Sequence, residues 1–298
     1  MILNLNNKLT KILSSLFLLT SLSTFACDLH GQSGFLPDNN LKIPVGLKSL
    51  GGINEVQFNR VMDKMIKLYS PIVSQHGANF VIERRWTDGT VNAFAHQNTP
   101  GAYTIVMFGG LARHQEITED AMALVACHEL GHHLGGAPKK TEANGVIWAA
   151  NEGQADYWGT MKCLRHYFDG DDNQKALQGL NIPQTVSTKC TALYTNYNEQ
   201  LICQRTSMAG LAVGKLFNNV SNDITPVDFN TPDRSVVTKT FDQHPAAQCR
   251  LDTYFQASLC DHPLSDSVSN NDPNIGVCSL KNGDKVGNRP LCWYKPTL

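Results

Sequence analysis

Residues 127–136 read Cys127-His128-Glu129-Leu130-Gly131-His132-His133-Leu134-Gly135-Gly136, and the rest of the fold can be read outward from them. Thr118, followed by Glu119 and Asp120, makes a good N-cap with favourable first-turn charge, and Gly135-Gly136 with Pro138 makes a good stop. A helix of about four to five turns is predicted between them. On it His128 and His132 stand four residues apart, so both imidazoles leave one face and can meet one metal ion. Glu129, one residue on, is close enough to reach a water held by that ion. Chance alone would give on the order of 0.03 such motifs in a chain of this composition, so the motif becomes specific only with a third ligand.

One zinc pattern places a third His six residues after the second, but Pro138 stands there and cannot bind metal. The other takes a Glu from the following helix. Glu152 lies twenty residues after His132, within Asn151-Glu152-Gly153-Gln154-Ala155-Asp156, and Asp156 comes one turn later on the same face. Two antiparallel helices would set Glu152 beside His132 and Asp156 beside His128, where Asp156 accepts the free N–H of a ligand imidazole. Two His and one Glu leave the fourth zinc position open, the arrangement of a catalytic site and not of a structural one. The chemistry expected is a metal-activated water with Glu129 as general base. His133 points to another side of the helix and is read as packed or solvated. Cys127 is read as a small buried residue and the candidate for a free thiol.

Upstream, Phe58, Val61, Met62, Met65, Ile66, Tyr69, Ile72 and Val73 recur at three and four, which predicts an amphipathic helix from Glu55 to Val73 ended by Gly77. Short strands are predicted at Phe80 to Glu83, Val91 to Ala95 and Tyr103 to Phe108, separated by Asp88-Gly89 and Pro100-Gly101. Downstream, helices are predicted from Trp148 to Tyr167, from Glu199 to Asn218, and from Pro245 towards Leu259. Residues 263–298 are rich in Ser, Asn, Asp and Gly and form a tail that a disulfide should hold to the main domain, with Cys278 and Cys292 the expected pair.

The 298 residues carry 25 Lys plus Arg against 26 Asp plus Glu and include nine cysteines. A net charge of −1 offers no basic footprint for nucleic acid, and 42% hydrophobic residues exclude a disordered composition. Lys8 and Lys11 precede the apolar run Ile12 to Leu22, and Thr24 and Ala26 fit a cleavage site before Cys27, so residues 1–26 read as a signal peptide. No segment after it is long and apolar enough for a transmembrane helix. The mature chain divides into a leader at 27–54, a core at 55–262 and the tail, in an oxidising compartment, periplasmic or extracellular. Thr24-Phe25-Ala26-Cys27 also loosely resembles a bacterial lipoprotein box, which offers a lipid anchor at Cys27 and would leave eight cysteines to pair.

Val91-Asn92-Ala93-Phe94-Ala95, Gly109-Gly110-Leu111, the motif at 128–132, Glu152 to Asp156, and His244-Pro245 with Arg250-Leu251 together resemble the zinc metallopeptidase family of the CAAX prenyl proteases and HtpX. The resemblance covers roughly residues 55–258. It implies an α+β, mainly helical fold of the zincin-like, gluzincin type, with a short antiparallel edge sheet and two helices carrying the metal ligands. It implies one Zn(2+) on His128, His132 and Glu152. His244 would donate to the oxyanion and Arg250 would support it or the carboxylates. The strand at Asn92, Ala93, Phe94 and Ala95 would be an edge on which an extended polypeptide substrate pairs. The function expected is an exported zinc endopeptidase; the alternative is a zinc-containing client-binding or quality-control protein with little turnover.

Overall fold

The computed structural model describes residues 33–47, 51–142, 145–221 and 224–296. The expected signal peptide at 1–26 and the expected lipid anchor at Cys27 lie outside the described residues. The fold is α+β and mainly helical.

Helix α1 (Glu55–Gln75) begins where the Asn54 side chain accepts from the Gln57 N–H while the Gln57 side chain accepts from the Asn54 N–H, a reciprocal cap. Phe58, Val61, Met62, Met65, Tyr69 and Val73 form its buried stripe. The helix stops before Gly77, whose φ of 76° suits a residue without a Cβ.

Strands β1 (Ser33–Gly34), β2 (Asn79–Arg85), β3 (Ala93–His96) and β4 (Ala102–Phe108) make one sheet in the order β1-β3-β4-β2. The Pro100-Gly101 turn makes β3 and β4 antiparallel, while β2 lies on the far side of β4 and therefore runs parallel to it, Asn79 opposite Ala102. The sheet is thus mixed, which corrects the expected antiparallel one. A second correction concerns its edge: β1 pairs along β3, with Gly34 opposite Phe94 and Ser33 opposite Ala95, so the strand at Asn92 to Ala95 is covered by the chain's own N-terminal residues.

A single turn, α2 (Gly109–Ala112), leads to α3 (Glu119–Leu134). Thr118 caps it by accepting from the Ala121 N–H at 3.1 Å. Every residue of α3 from Ala121 to Leu134 is buried, which makes it the central helix of the domain, enclosed by the sheet, α1 and the helices that follow.

Strands β5 (Lys139–Glu142) and β6 (Gly145–Ala150) then form a hairpin where the helix from Trp148 was expected. Val146, Ile147 and Trp148 are a short apolar run whose periodicity cannot distinguish strand from helix. The helix waits for Asn151, whose side chain accepts from the Gln154 N–H at 2.9 Å, and α4 spans Glu152–Trp158. It continues through the π-helical stretch Gly159–Leu164 into α5 (Arg165–Phe168). Helices α6 (Asn173–Leu177) and α7 (Gln184–Leu193) precede α8 (Tyr197–Ser221), and α9 (Ala247–Ser258) follows Pro245.

Eight cysteines form four disulfides: Cys127–Cys163, Cys190–Cys203, Cys249–Cys292 and Cys260–Cys278. Two expectations are corrected here. Cys127 is not a free thiol, because α3 packs on the π-helical stretch and brings Cys163 opposite it. Cys278 does not pair with Cys292, because each reaches the α9 region, where Trp293, Tyr294, Val277, Tyr157 and Met161 form a second buried cluster. Four disulfides fit a protein that matures in an oxidising, extracellular or periplasmic compartment. Among the described residues, no helix is long and apolar enough to cross a membrane.

Candidate metal centre

The helical spacing of α3 brings both imidazoles to one side, and each is oriented through its Nδ1. His128 Nδ1 donates to Asp156 Oδ1 at 2.7 Å, and His132 Nδ1 donates to the Ala150 carbonyl at 2.8 Å. Both Nε2 atoms are thereby turned inward, fully buried and without a hydrogen-bond partner. Glu152, the first residue of α4, meets them: its Oε2 lies 3.2 Å from His128 Nε2 and its Oε1 lies 3.8 Å from His132 Nε2. Ligand atoms about 2.0–2.1 Å from one tetrahedral ion stand roughly 3.3–3.4 Å apart, so these separations fit three corners of such a site. The three donor atoms lie within 4.8 Å of one another, and these buried residues could hold a metal ion. Buried polar atoms left unpartnered are costly, and two facing imidazole nitrogens of this kind suit a bound cation.

Close approach of α3 and α4 depends on small residues. A Cβ on Gly131 would lie 2.8 Å from the Ala155 carbonyl oxygen, and one on Gly159 would lie 3.1 Å from the His128 nitrogen. From the opposite side the tail fixes α4. The Trp293 ring lies over Gly153, where a Cβ would come within 2.2 Å of it, and its Nε1 donates to Thr253 at 2.9 Å. Arg289 Nη1 donates to Gln154 Oε1 at 3.1 Å, and Gln154 Nε2 donates to the Gly135 carbonyl at 2.7 Å.

Electrostatics favours the ligand forms of two of the three residues. Burial pushes His132 down to about 3, so it is neutral. Burial works against the Glu152 charge, but His244, His132 and Lys140 hold its carboxyl well below the usual range. Lys140, from β5, donates to Glu152 Oε1 at 3.2 Å. For His128, burial opposes the charged form, yet Asp156 and Glu152 outweigh it and raise the imidazole to about 9. Asp156 is the hub behind it: its Oδ1 also receives Arg250 Nη2 at 2.6 Å and the Tyr254 hydroxyl at 2.9 Å.

Glu129 lies beside the cluster with both carboxylate oxygens buried and unpartnered, and burial pushes its carboxyl up to about 8. His244 Nε2 is 3.5 Å from Glu152 Oε2 and donates to the Gly34 carbonyl at 2.6 Å. Arg250, fully buried, is pinned to Asp156 and donates to the Phe35 carbonyl at 3.0 Å. Asn92, just before β3, turns its side chain to Leu36, while Ala93, Phe94 and Ala95 pair with β1 and β4. His133 is structural: it is stacked between Tyr103 and Trp148 and hydrogen-bonded to the Thr104 carbonyl.

Sequence reasoning overlooked Lys140, Tyr254, Gln154 and Phe35. Tyr254 had a signal, standing one helical turn after Arg250; Lys140 and Phe35 had none. Among the described residues, two other groupings of metal-binding residue types, around Cys249 with Cys292 and around Cys278, rely on sulfurs already committed to disulfides. A cavity of about 900 Å³ behind α9, bounded by Phe255, Arg289 and Tyr294, includes none of the cluster. No family model, curated protein or solved structure matches the chain. The function must therefore be argued from the site.

Proposed function

We propose that the protein is an exported zinc-dependent endopeptidase of the gluzincin type that cuts extended polypeptide. The observation that carries this reading is the convergence of His128 Nε2, His132 Nε2 and the Glu152 carboxylate, with Glu129 unpartnered beside them. Two imidazoles and one carboxylate suit zinc, and three protein ligands leave one position open. The chemistry that bound zinc supplies is a water of lowered pKa and a polarised carbonyl. Glu129 takes the proton of the attacking water and returns it to the leaving amine. His244 donates to the carbonyl oxygen as charge develops there, and Arg250 holds the next carbonyl along the peptide. Asp156 fixes the His128 tautomer. Four disulfides support export, and an acyl group on Cys27 would keep the exported protein at a membrane.

Covered as it is by β1, strand β3 favours a second reading, a zinc-containing client-binding or quality-control protein with little turnover. Glu129→Gln separates the two. With zinc at saturation, wild-type protein cleaves an unfolded protein and Glu129→Gln does not. Equal and negligible cleavage by both would sink the peptidase reading and leave the binding one. One zinc per chain is expected, and retention of full affinity in Glu152→Ala would remove the third ligand.

A further inference from the structure

Residues 33–36, Ser-Gly-Phe-Leu, cross the cluster antiparallel to β3, and their backbone is held as a bound peptide would be. The Phe35 N–H donates to the Ala93 carbonyl at 2.9 Å. Asn92 takes Leu36 at both ends, accepting from its N–H at 2.9 Å and donating to its carbonyl at 3.1 Å. The two carbonyls between go to the two basic side chains of the site: Gly34 to His244 at 2.6 Å and Phe35 to Arg250 at 3.0 Å. These same side chains touch the metal-binding cluster, His244 at Glu152 and Arg250 at Asp156. The Phe35 ring is fully buried, with its centre 4.9 Å from that of His128 and 5.1 Å from that of Phe217. At Gly34 there is little room: a Cβ would lie 2.9 Å from Asn92 Nδ2 and 3.0 Å from the Phe94 ring, so those side chains would have to shift.

We propose that this stretch is a tethered peptide filling the substrate groove, with the Gly34–Phe35 bond presented to the metal centre and the groove selecting extended peptides of the same pattern. The inference rests on the peptidase reading and adds a substrate class: a small residue, then an aromatic one, then an aliphatic one. It also adds a regulation, because an incoming peptide must displace Ser33–Leu36, and the chain with its groove filled is held at low activity. Hydrolysis in that register adds water across the bond after the small residue, leaving a carboxylate on it and an amine on the aromatic residue.

The test uses the full zinc-loaded Glu129→Gln chain and a labelled peptide Ser-Gly-Phe-Leu-Pro-Asp. Saturating peptide should speed hydrogen exchange at the Phe35 and Leu36 amides at least tenfold, and Phe35→Ala should bind it at least tenfold more tightly. A peptide with Val-Asp in place of Gly-Phe should do neither. Binding that leaves both amides protected overturns the proposal, as does no binding to either chain. Because Phe35→Ala removes a buried ring and could unfold, the exchange measurement on the Phe35 chain decides. Mapped cleavage of an unfolded protein keeps the two readings apart. Cuts with no enrichment before Phe retain the peptidase and sink the tethered peptide, whereas displacement of the segment without any cleavage by wild type does the reverse.

Discussion

Asp156→Asn probes the network behind the candidate metal centre. Asp156 Oδ1 receives three donors, from His128, Arg250 and Tyr254, all at 2.6–2.9 Å and all buried. An amide oxygen can still accept, so the substitution mainly removes the negative charge facing Arg250, whose guanidinium has no exposure to water. Removing one partner of a buried ion pair costs about 3–5 kcal/mol, and the retained acceptor places this change near 3. At roughly 2–4 °C per kcal/mol, the metal-free variant should melt about 6–12 °C below wild type at pH 7. Zinc affinity should fall about 10–100-fold, since His128 loses its orienting charge.

Calorimetry of the metal-free proteins and competition with a chromogenic chelator read the two effects. The pH dependence supplies a sign. Burial opposes ionisation of Asp156, but Arg250 and His128 outweigh it and hold the carboxyl below its ordinary range. A carboxylate of lowered folded pKa gives stability that is complete above the unfolded value, about 3.9, and is lost as pH falls through the folded value. The Asp156 share of the gap between wild type and variant should therefore be flat from pH 7 to about 5 and close in stronger acid. The share carried by His128, raised to about 9, is complete below about 6.5 and fades as pH rises towards 9. Adding Arg250→Met to Asp156→Asn should recover at least half the loss, because the orphaned charge goes with it. A melting point within about 1 °C of wild type together with unchanged zinc affinity would refute the coupling.

Zinc uptake by the metal-free protein at pH 7 should release about two protons, one from His128 and one from Glu129, and about one in Glu129→Gln; calorimetry in buffers of different ionisation enthalpy counts them. Cys249→Ser opens a loop of 43 residues and should cost about 4 kcal/mol on the chain-entropy estimate, while freeing Trp293 from Gly153 and weakening zinc binding. Gly131→Ala should cost about 1–3 kcal/mol by forcing α3 from α4, and its zinc affinity should drop in parallel; a variant with wild-type melting and affinity would show that the 2.8 Å approach to Ala155 is not limiting.

What could be read in the sequence follows from where the determining contacts lie along the chain. His128 and His132 share a helix face by local geometry alone, and Thr118 marks where that helix begins, so both were legible. Glu152 and Asp156 were legible because their spacing matches that of the histidines they face. Contacts made across long separations were not. Nothing near Ser33 announces that it will pair with Ala95, and nothing near Cys278 says that Cys260, and not Cys292, will be its neighbour. The hairpin ending at Ala150 was hidden because the short apolar run from Val146 satisfies either periodicity; only the side-chain cap at Asn151 fixes where the helix starts. Gly153 is instructive in the same way, since its lack of a side chain matters only because the Trp293 ring, 140 residues later, lies on it.

A count of charges is compatible with a divalent ion at this cluster. Without one, Asp156 balances Arg250, Glu152 balances a protonated His128, and Glu129 keeps its proton at neutral pH because burial raises it to about 8. An ion on His128 Nε2 would displace that imidazole's proton, and two adjacent positive charges would let Glu129 ionise. Two charges would enter and two protons leave, so loading would not alter the buried charge. Any further net charge added to so enclosed a site would cost several kcal/mol. Glu129→Gln breaks the balance, because an amide has no proton to give up and loading leaves one positive charge uncompensated. The variant that tests the general base should therefore hold zinc more weakly than wild type, and its cleavage must be compared at equal zinc occupancy and not at equal zinc concentration.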